Sequence, residues 1–291
     1  MTSYLSWFIA SRPKTLPAAI APVLAGSAFA YYDHQFDLLI FFLICIAALG
    51  IQVGTNFSND LHDFLKGTDT EHRLGPLRAT QAGFITPTQM KTGTAVAFLI
   101  ALLAGSYLAF IGGWVIVLIG LTSFAAGIAY TAGPYPLGYH GWGDVFVFLY
   151  FGLIAVGGTF FLYTGTIQGE VLLTGAAMGG LSTAILTVNN LRDADMDIHT
   201  GKKTLAVRWG KSFVRWEYII CVLFPYVASG VLFFQFNFPL AVFLTWFSIP
   251  MAVNLIISVF RDSGTRLNIT LGKTARLLLI YSILLALGLI L

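Results

Sequence analysis

Residues 38–63 read LLIFFLICIAALGIQVGTNFSNDLHD. The stretch opens on a continuous apolar run, without the apolar–polar alternation that a membrane-barrel strand requires. At about 20 residues it is long enough to cross the hydrocarbon core of a bilayer as a helix. Its end is different in kind: Asn56, Asn59, Asp60 and Asp63 stand at offsets of three and four. If the helix continues through them, they share a face. A crossing helix that ends in two amides and two carboxylates sets both the fold class and the place to look for chemistry.

Working outward, the same test gives eight further stretches, near 16–32, 93–111, 114–131, 145–164, 171–190, 218–234, 239–260 and 275–291. The expected architecture is all-α, a polytopic membrane protein with nine transmembrane helices in a single domain over 1–291. Composition agrees. The chain of 291 residues is 57% hydrophobic and 10% charged, with 25 Phe, whereas soluble domains carry about 25% charged residues. Folding could not hide that much apolar surface from water. Soluble enzyme, disordered protein and nucleic-acid binder are excluded on this ground. Cys45 and Cys221 both lie in apolar runs, so a disulfide framework is not expected.

The basic residues orient the chain. Arg12 and Lys14 precede the first span; every other Lys and Arg falls in segments 59–92, 191–216 and 261–276. With nine spans these segments share one side, and the connections 33–37, 112–113, 165–170 and 235–238 carry none. The positive-inside rule places the basic side, with the N-terminus, in the cytoplasm. The long loops on that side are where a site for water-soluble charged groups would be built.

A second acidic group follows the sixth span in NNLRDADMDIHTGKKTLAVRWGK, residues 189–211. Asn189, Asp193 and Asp197 are spaced by four, with Asn190 beside them. Stacked carboxylates near a bilayer need a cation between them. Nearby Arg and Lys could serve, but oxygen ligands without His or Cys also suit hard Mg²⁺. Mg²⁺ held by a few carboxylates commonly shares its shell with substrate phosphates, and Arg78, Arg192, Lys202 and Lys203 would suit a diphosphate. The two halves also echo one another faintly, each placing Asn-x-x-x-Asp after its second span and then Gly67 or Gly201.

These segments resemble the paired Asp-rich motifs of the UbiA superfamily of intramembrane aromatic prenyltransferases, most closely the branch acting on 1,4-dihydroxy-2-naphthoate. The pieces that carry the resemblance are RPKTLPAAIAPVLAGSA, NDLHDFLKGTD, GPLRATQAG, YTAGPYPLGYHGWGD, NNLRDADMDIHTGKKTLAVRWG and LGKTARLLLIY, which run in order from Arg12 to Tyr281. Where many members carry a further carboxylate in the first motif, this chain has Gly67, and Asp69 is the nearest substitute. The resemblance implies a bundle around a central cavity open to the cytoplasm, in the inner (plasma) membrane. It implies two Mg²⁺ ions, a polyprenyl diphosphate donor, and prenylation of dihydroxynaphthoate with loss of CO₂, giving demethylmenaquinone.

On this reading Asp60, Asp63, Asp69, Asp193 and Asp197 hold metal. Arg12, Lys14, Asn56, Asn59, Arg78, Tyr130, Asn189, Asn190, Arg192, Lys202 and Lys203 contact substrate. The 130–144 segment forms an ordered lid carrying Tyr130, Tyr139 and Asp144, with Tyr139 and Asp144 near the chemistry. Two alternatives stay open: a sister enzyme prenylating homogentisate or 4-hydroxybenzoate, and a membrane carrier. A carrier would place carboxylates mid-span, whereas these lie at helix ends.

Overall fold

The computed structural model describes residues 4–67 and 74–291. Among the described residues there are helices and no strands. They are α1 (Tyr4–Ser11), α2 (Pro17–Tyr32), α3 (Leu38–Leu65), α4 (Pro87–Ala129), α5 (Gly143–Phe148), α6 (Ala155–Thr164), α7 (Gly169–Thr200), α8 (Leu205–Arg208), α9 (Gly210–Phe236), α10 (Ile249–Arg261) and α11 (Leu267–Ile290). A π-helical stretch, Leu149–Ile154, joins α5 to α6, and a 3₁₀ stretch, Leu240–Ser248, leads into α10.

Among the described residues, seven helices or joined helix runs are long and apolar enough to cross a membrane. The pair α1–α2, bent by 52°, makes an eighth. The expected nine differ from this at α4, which the sequence divides into two spans. The element is broken at Gly113, whose φ of 67° and ψ of −158° are not helical. Phe98 and Phe124, on either side of the break, touch edge to face with ring centroids 5.2 Å apart. A straight helix would hold them roughly 39 Å apart. α4 therefore folds back on itself as two arms, 87–112 and 114–129.

Local chemistry explains the other boundaries. Asp37 caps α3 by accepting from the Ile40 amide at 2.9 Å. Thr86 and Gln89 form a reciprocal capping box at the start of α4. Arg12 takes a left-handed conformation between Ser11 and Pro13, where the first helix breaks. α3 and α7 both run past the expected span ends, and each stops at a glycine of positive φ, Gly67 at 65° and Gly201 at 75°. Both acidic motifs are consequently helical.

α7 is the central helix, buried along most of its length. It packs closely on the π-helical stretch: a Cβ at Gly152 would lie 2.5 Å from the Gly175 carbonyl oxygen and 2.6 Å from the Gly179 Cα. Only glycine allows that approach. The main apolar core joins α2, α6, α7, α9 and α11, with Phe29, Phe160, Tyr218 and Tyr281 buried in it.

Candidate active site

One cavity of about 610 Å³ opens between these helices. From α3 it takes Gln52, Thr55, Asn56, Asn59 and Asp63; from α7 it takes Leu186, Asn189, Asn190, Asp193 and Asp197. Both sets recur at three and four residues, so each helix turns one stripe to the same hollow. The two acidic motifs, 130 residues apart in the chain, thus face a common space. Arg12, Arg78, Tyr130, Tyr139 and Lys202 line it as well.

Asp63 is the anchor of the first motif and is 2% exposed. Its Oδ2 accepts from Arg78 Nη2 at 2.7 Å, and its Oδ1 from the Tyr139 hydroxyl at 2.7 Å. Lys202 Nζ stands 3.5 Å from Oδ1. The Tyr139 ring also carries two ammonium groups over its face, Lys66 at 4.9 Å and Lys202 at 4.6 Å. Partial burial lowers the Lys66 amine from its ordinary pKa, Asp63 opposes that shift, and Lys202 adds to it. Lys66 donates to the Thr131 carbonyl at 2.6 Å, and the Thr131 hydroxyl donates to Asn59 Oδ1 at 2.8 Å. On the other side, the Lys203 amide donates to the Tyr139 carbonyl at 2.7 Å. The 130–139 loop is therefore tied to the ends of both motif helices.

The second motif is built on Arg192. Its Nε and Nη2 form a bidentate pair with Asp193 at 2.7 and 2.6 Å. Nη2 also donates to Asn189 Oδ1 at 2.8 Å, and Nη1 to Asn268 Oδ1 at 2.6 Å. Asn268 in turn donates to the Leu74 carbonyl at 2.8 Å. Arg192 is thus spent on fixing Asp193 and Asn189 and does not line the cavity. Asn56 lines the cavity and donates to the Ser11 carbonyl at 2.9 Å, joining α3 to α1. Burial, with the charges of Asp144 and Asp63 adding to it, raises the Tyr130 phenol well above its ordinary pKa. Tyr130 therefore enters the site neutral.

Of the residues expected from the sequence, Arg12, Asn56, Asn59, Asp63, Arg78, Tyr130, Tyr139, Asn189, Asn190, Asp193, Asp197 and Lys202 are brought together. Five others are placed elsewhere. Asp60, 1% exposed, accepts from the amides of Ala79 and Thr80, each at 3.1 Å, and so holds the turn that carries Arg78. Lys14 is exposed outside the cavity. Lys203 contributes its backbone, as described above, and Arg192 supports Asp193. Asp144 is buried against α7, and its Oδ1 has no hydrogen-bond partner among the described residues. Asp69 lies outside the described residues. Thr131 and Asn268 were not legible from the sequence, because each acts only through a partner distant in the chain.

The donor set fits a hard divalent cation in kind. Asn59, Asp63, Asn189, Asp193 and Asp197 offer oxygen, with no thiolate or imidazole among them. Among the described residues, no three His, Cys, Asp or Glu side chains converge as a ready-made cage.

Comparison with known proteins follows the same line. The UbiA prenyltransferase family matches residues 19–268. The chain is 35% identical to the 1,4-dihydroxy-2-naphthoate octaprenyltransferase of Haemophilus influenzae, over 98% of this chain and 95% of that one. It is 37% identical to the enzyme of the same name from Escherichia coli, over 80% and 77%. Among solved structures, an apo UbiA homologue from Aeropyrum pernix K1 superposes with a TM-score of 0.73 at 13% identity, covering 94% of this chain and 97% of that one. A UbiA homologue from Archaeoglobus fulgidus bound to GPP and Mg²⁺ superposes at 0.66 with 14% identity, covering 96% and 99%. With its sequence motifs on facing helices, this multi-pass membrane chain belongs to the UbiA prenyltransferase family.

Proposed function

We propose that the protein transfers a polyprenyl group from polyprenyl diphosphate to 1,4-dihydroxy-2-naphthoate, with loss of CO₂. The names of its curated relatives support the acceptor and the reaction. The observation that carries the reading is the polarity of the cavity. One end is built from Asp63, Asp193 and Asp197 with Arg12, Arg78 and Lys202; the remainder is lined mainly by Ile, Leu, Val, Ala, Phe and Gly, with Ser and Thr hydroxyls and Gln52 among them. Such a cavity matches a ligand with an anionic head and a long apolar tail.

In this reading Asn59 and Asp63 on one helix, and Asn189, Asp193 and Asp197 on the other, would hold the two Mg²⁺ ions. Bound there, the metal supplies charge neutralisation of the diphosphate leaving group. Arg78 and Lys202, already on Asp63, are placed to take over diphosphate oxygens as the donor enters. Tyr139 holds the lid against Asp63 and keeps water from the head of the site. The allylic C–O bond breaks with its electron pair leaving on the diphosphate. The ring carbon that bears the carboxylate forms the new C–C bond, and the electrons of the C–CO₂ bond return to the ring as CO₂ departs. The product is the hydroquinone form of demethylmenaquinone. Tyr130, Phe146 and Tyr150 line the same space and bring aromatic rings near the developing cation. The basic loops support a reading in which this end of the cavity lies at the cytoplasmic side of the inner (plasma) membrane.

The test is turnover. Purified protein in lipid nanodiscs, given labelled polyprenyl diphosphate and Mg²⁺, should prenylate dihydroxynaphthoate with one CO₂ released per product. Product with homogentisate or 4-hydroxybenzoate, and none with dihydroxynaphthoate, would overturn the assignment.

A further inference from the structure

Gln52 lines the cavity but takes no part in the metal and diphosphate site. It continues the α3 stripe of Asp63, Asn59 and Asn56 by one more turn, and the four line the cavity together except that Gln52 stands deepest. Its Cα lies roughly 10 Å below that of Asn59 along the helix axis. Ala48 and Ile51 of the same helix are its neighbours on the wall. Asn56 and Asn59 are both engaged, with the Ser11 carbonyl and the Thr131 hydroxyl. The Gln52 amide makes no hydrogen bond among the described residues. A primary amide offers two donors and two acceptor lone pairs. Inside a span that crosses the bilayer, leaving them unused is costly unless a ligand supplies the partners.

A second polar group stands at the same depth. The Thr131 hydroxyl meets Asn59 across a sequence separation of 72. Gly127 packs directly on the Thr55 hydroxyl at the same separation. The arm 114–129 of α4 therefore runs parallel to α3 and in step with it. One turn earlier on both helices, Ser123 comes level with Ile51 and Gln52. Ser123 also lines the cavity, and its hydroxyl has no hydrogen-bond partner among the described residues. A polyprenyl tail has no atom that could use an amide and a hydroxyl. A flat aromatic ring bearing hydroxyls has. We propose that Gln52 and Ser123 bind a ring hydroxyl of the aromatic acceptor and so set which acceptor is prenylated. With its carboxyl-bearing carbon held toward the metal end, 1,4-dihydroxy-2-naphthoate turns its 4-hydroxyl away from that end, toward Gln52. The proposal rests on the dihydroxynaphthoate reading above and names the residues that select that ring.

A cycle of two proteins and two acceptors tests it. Wild type and Gln52→Leu, in nanodiscs with Mg²⁺ and saturating polyprenyl diphosphate, are given 1,4-dihydroxy-2-naphthoate or 1-hydroxy-2-naphthoate, which lacks the 4-hydroxyl. Selectivity is read as kcat/KM or, for an analogue too slow to turn over, as its inhibition constant. Leucine fills a similar volume without a polar atom, so the variant should fold and keep the KM of the donor within about twofold. On the dihydroxy acceptor it should lose about tenfold or more, chiefly in KM, and on the monohydroxy one about twofold or less. Ser123→Ala should shift selectivity the same way by a smaller factor. Equal losses on both acceptors would assign Gln52 a structural role and overturn the proposal. Unchanged selectivity, the result for an amide that only binds water, would overturn it too, while wild-type turnover left the prenyl-transfer reading standing. A wild type inactive toward dihydroxynaphthoate would instead fail that reading, and this inference with it.

Discussion

The Tyr139 hydroxyl donates to Oδ1 of Asp63 at 2.7 Å, joining the 130–139 loop to the end of α3. The same oxygen has Lys202 at 3.5 Å, so loop, first motif and second motif meet at one carboxylate atom. That junction decides which changes should disturb chemistry and which should disturb folding.

Tyr139→Phe removes the hydroxyl but keeps the ring beneath Lys66 and Lys202. A hydrogen bond to a charged group contributes about 1.5–3 kcal/mol, so the variant should lose roughly tenfold or more in kcat/KM. Its melting temperature should fall by a few degrees, with the protein still folded. Steady-state kinetics beside a thermal melt reads both; wild-type kinetics in the variant would rule out a lid held by this bond.

Asp60→Asn and Asp63→Asn should part company. Asp60 accepts from two backbone amides, and an amide nitrogen in its place cannot satisfy both. The expected cost is about 1–3 kcal/mol of stability, with Mg²⁺-dependence of the remaining activity unchanged. Asp63→Asn should abolish turnover while the protein stays folded. A Mg²⁺ titration on each variant separates them, and a weakened Mg²⁺ response in Asp60→Asn would return that residue to the metal site.

Arg192→Met removes the buried guanidinium and leaves Asp193, whose side chain is 16% exposed, without its bidentate partner. Breaking a buried pair costs about 3–5 kcal/mol, so this variant should melt well below wild type. Asn268→Ala, which removes one of the three acceptors around Arg192, should cost less, about 1 kcal/mol. Equal melting temperatures for Arg192→Met and wild type would show that Asp193 is held some other way.

Gly152→Ala tests packing alone. The added methyl lies 2.5 Å from the Gly175 carbonyl oxygen, a contact the rigid helix pair cannot relax. The expected loss is about 1–3 kcal/mol or more, seen as reduced folded yield in detergent. Gly158→Ala, which meets only a side-chain methyl at 3.2 Å, should be tolerated far better.

Much of this was legible in residues 38–63 and 189–211. Their spacing put the Asn and Asp side chains on helical faces, and the helices do continue through both motifs. Spacing could not say which of two adjacent carboxyl-bearing turns faces the cavity. Asp60 and Asn59 are one residue apart, about 100° around the helix, and only the position of Ala79 and Thr80 decides that Asp60 turns to the loop. Arg192 read as a diphosphate ligand for the same reason: its partner Asn268 lies 76 residues on, at the start of α11. The hairpin within α4 was visible as two apolar runs around Gly112 and Gly113.

The central claim is that Asp63 on α3 and Asp193 with Asp197 on α7 grip one diphosphate through divalent metal. Its most direct test is the affinity of a non-hydrolysable polyprenyl thiodiphosphate for the purified protein in nanodiscs, with Mg²⁺ and with chelator. The account predicts tight binding with Mg²⁺ for the wild type, and a loss of at least about tenfold, or 1.4 kcal/mol, with chelator, in Asp63→Asn and in Asp197→Asn. Undiminished affinity in the presence of chelator, with both folded variants binding as the wild type does, would contradict it.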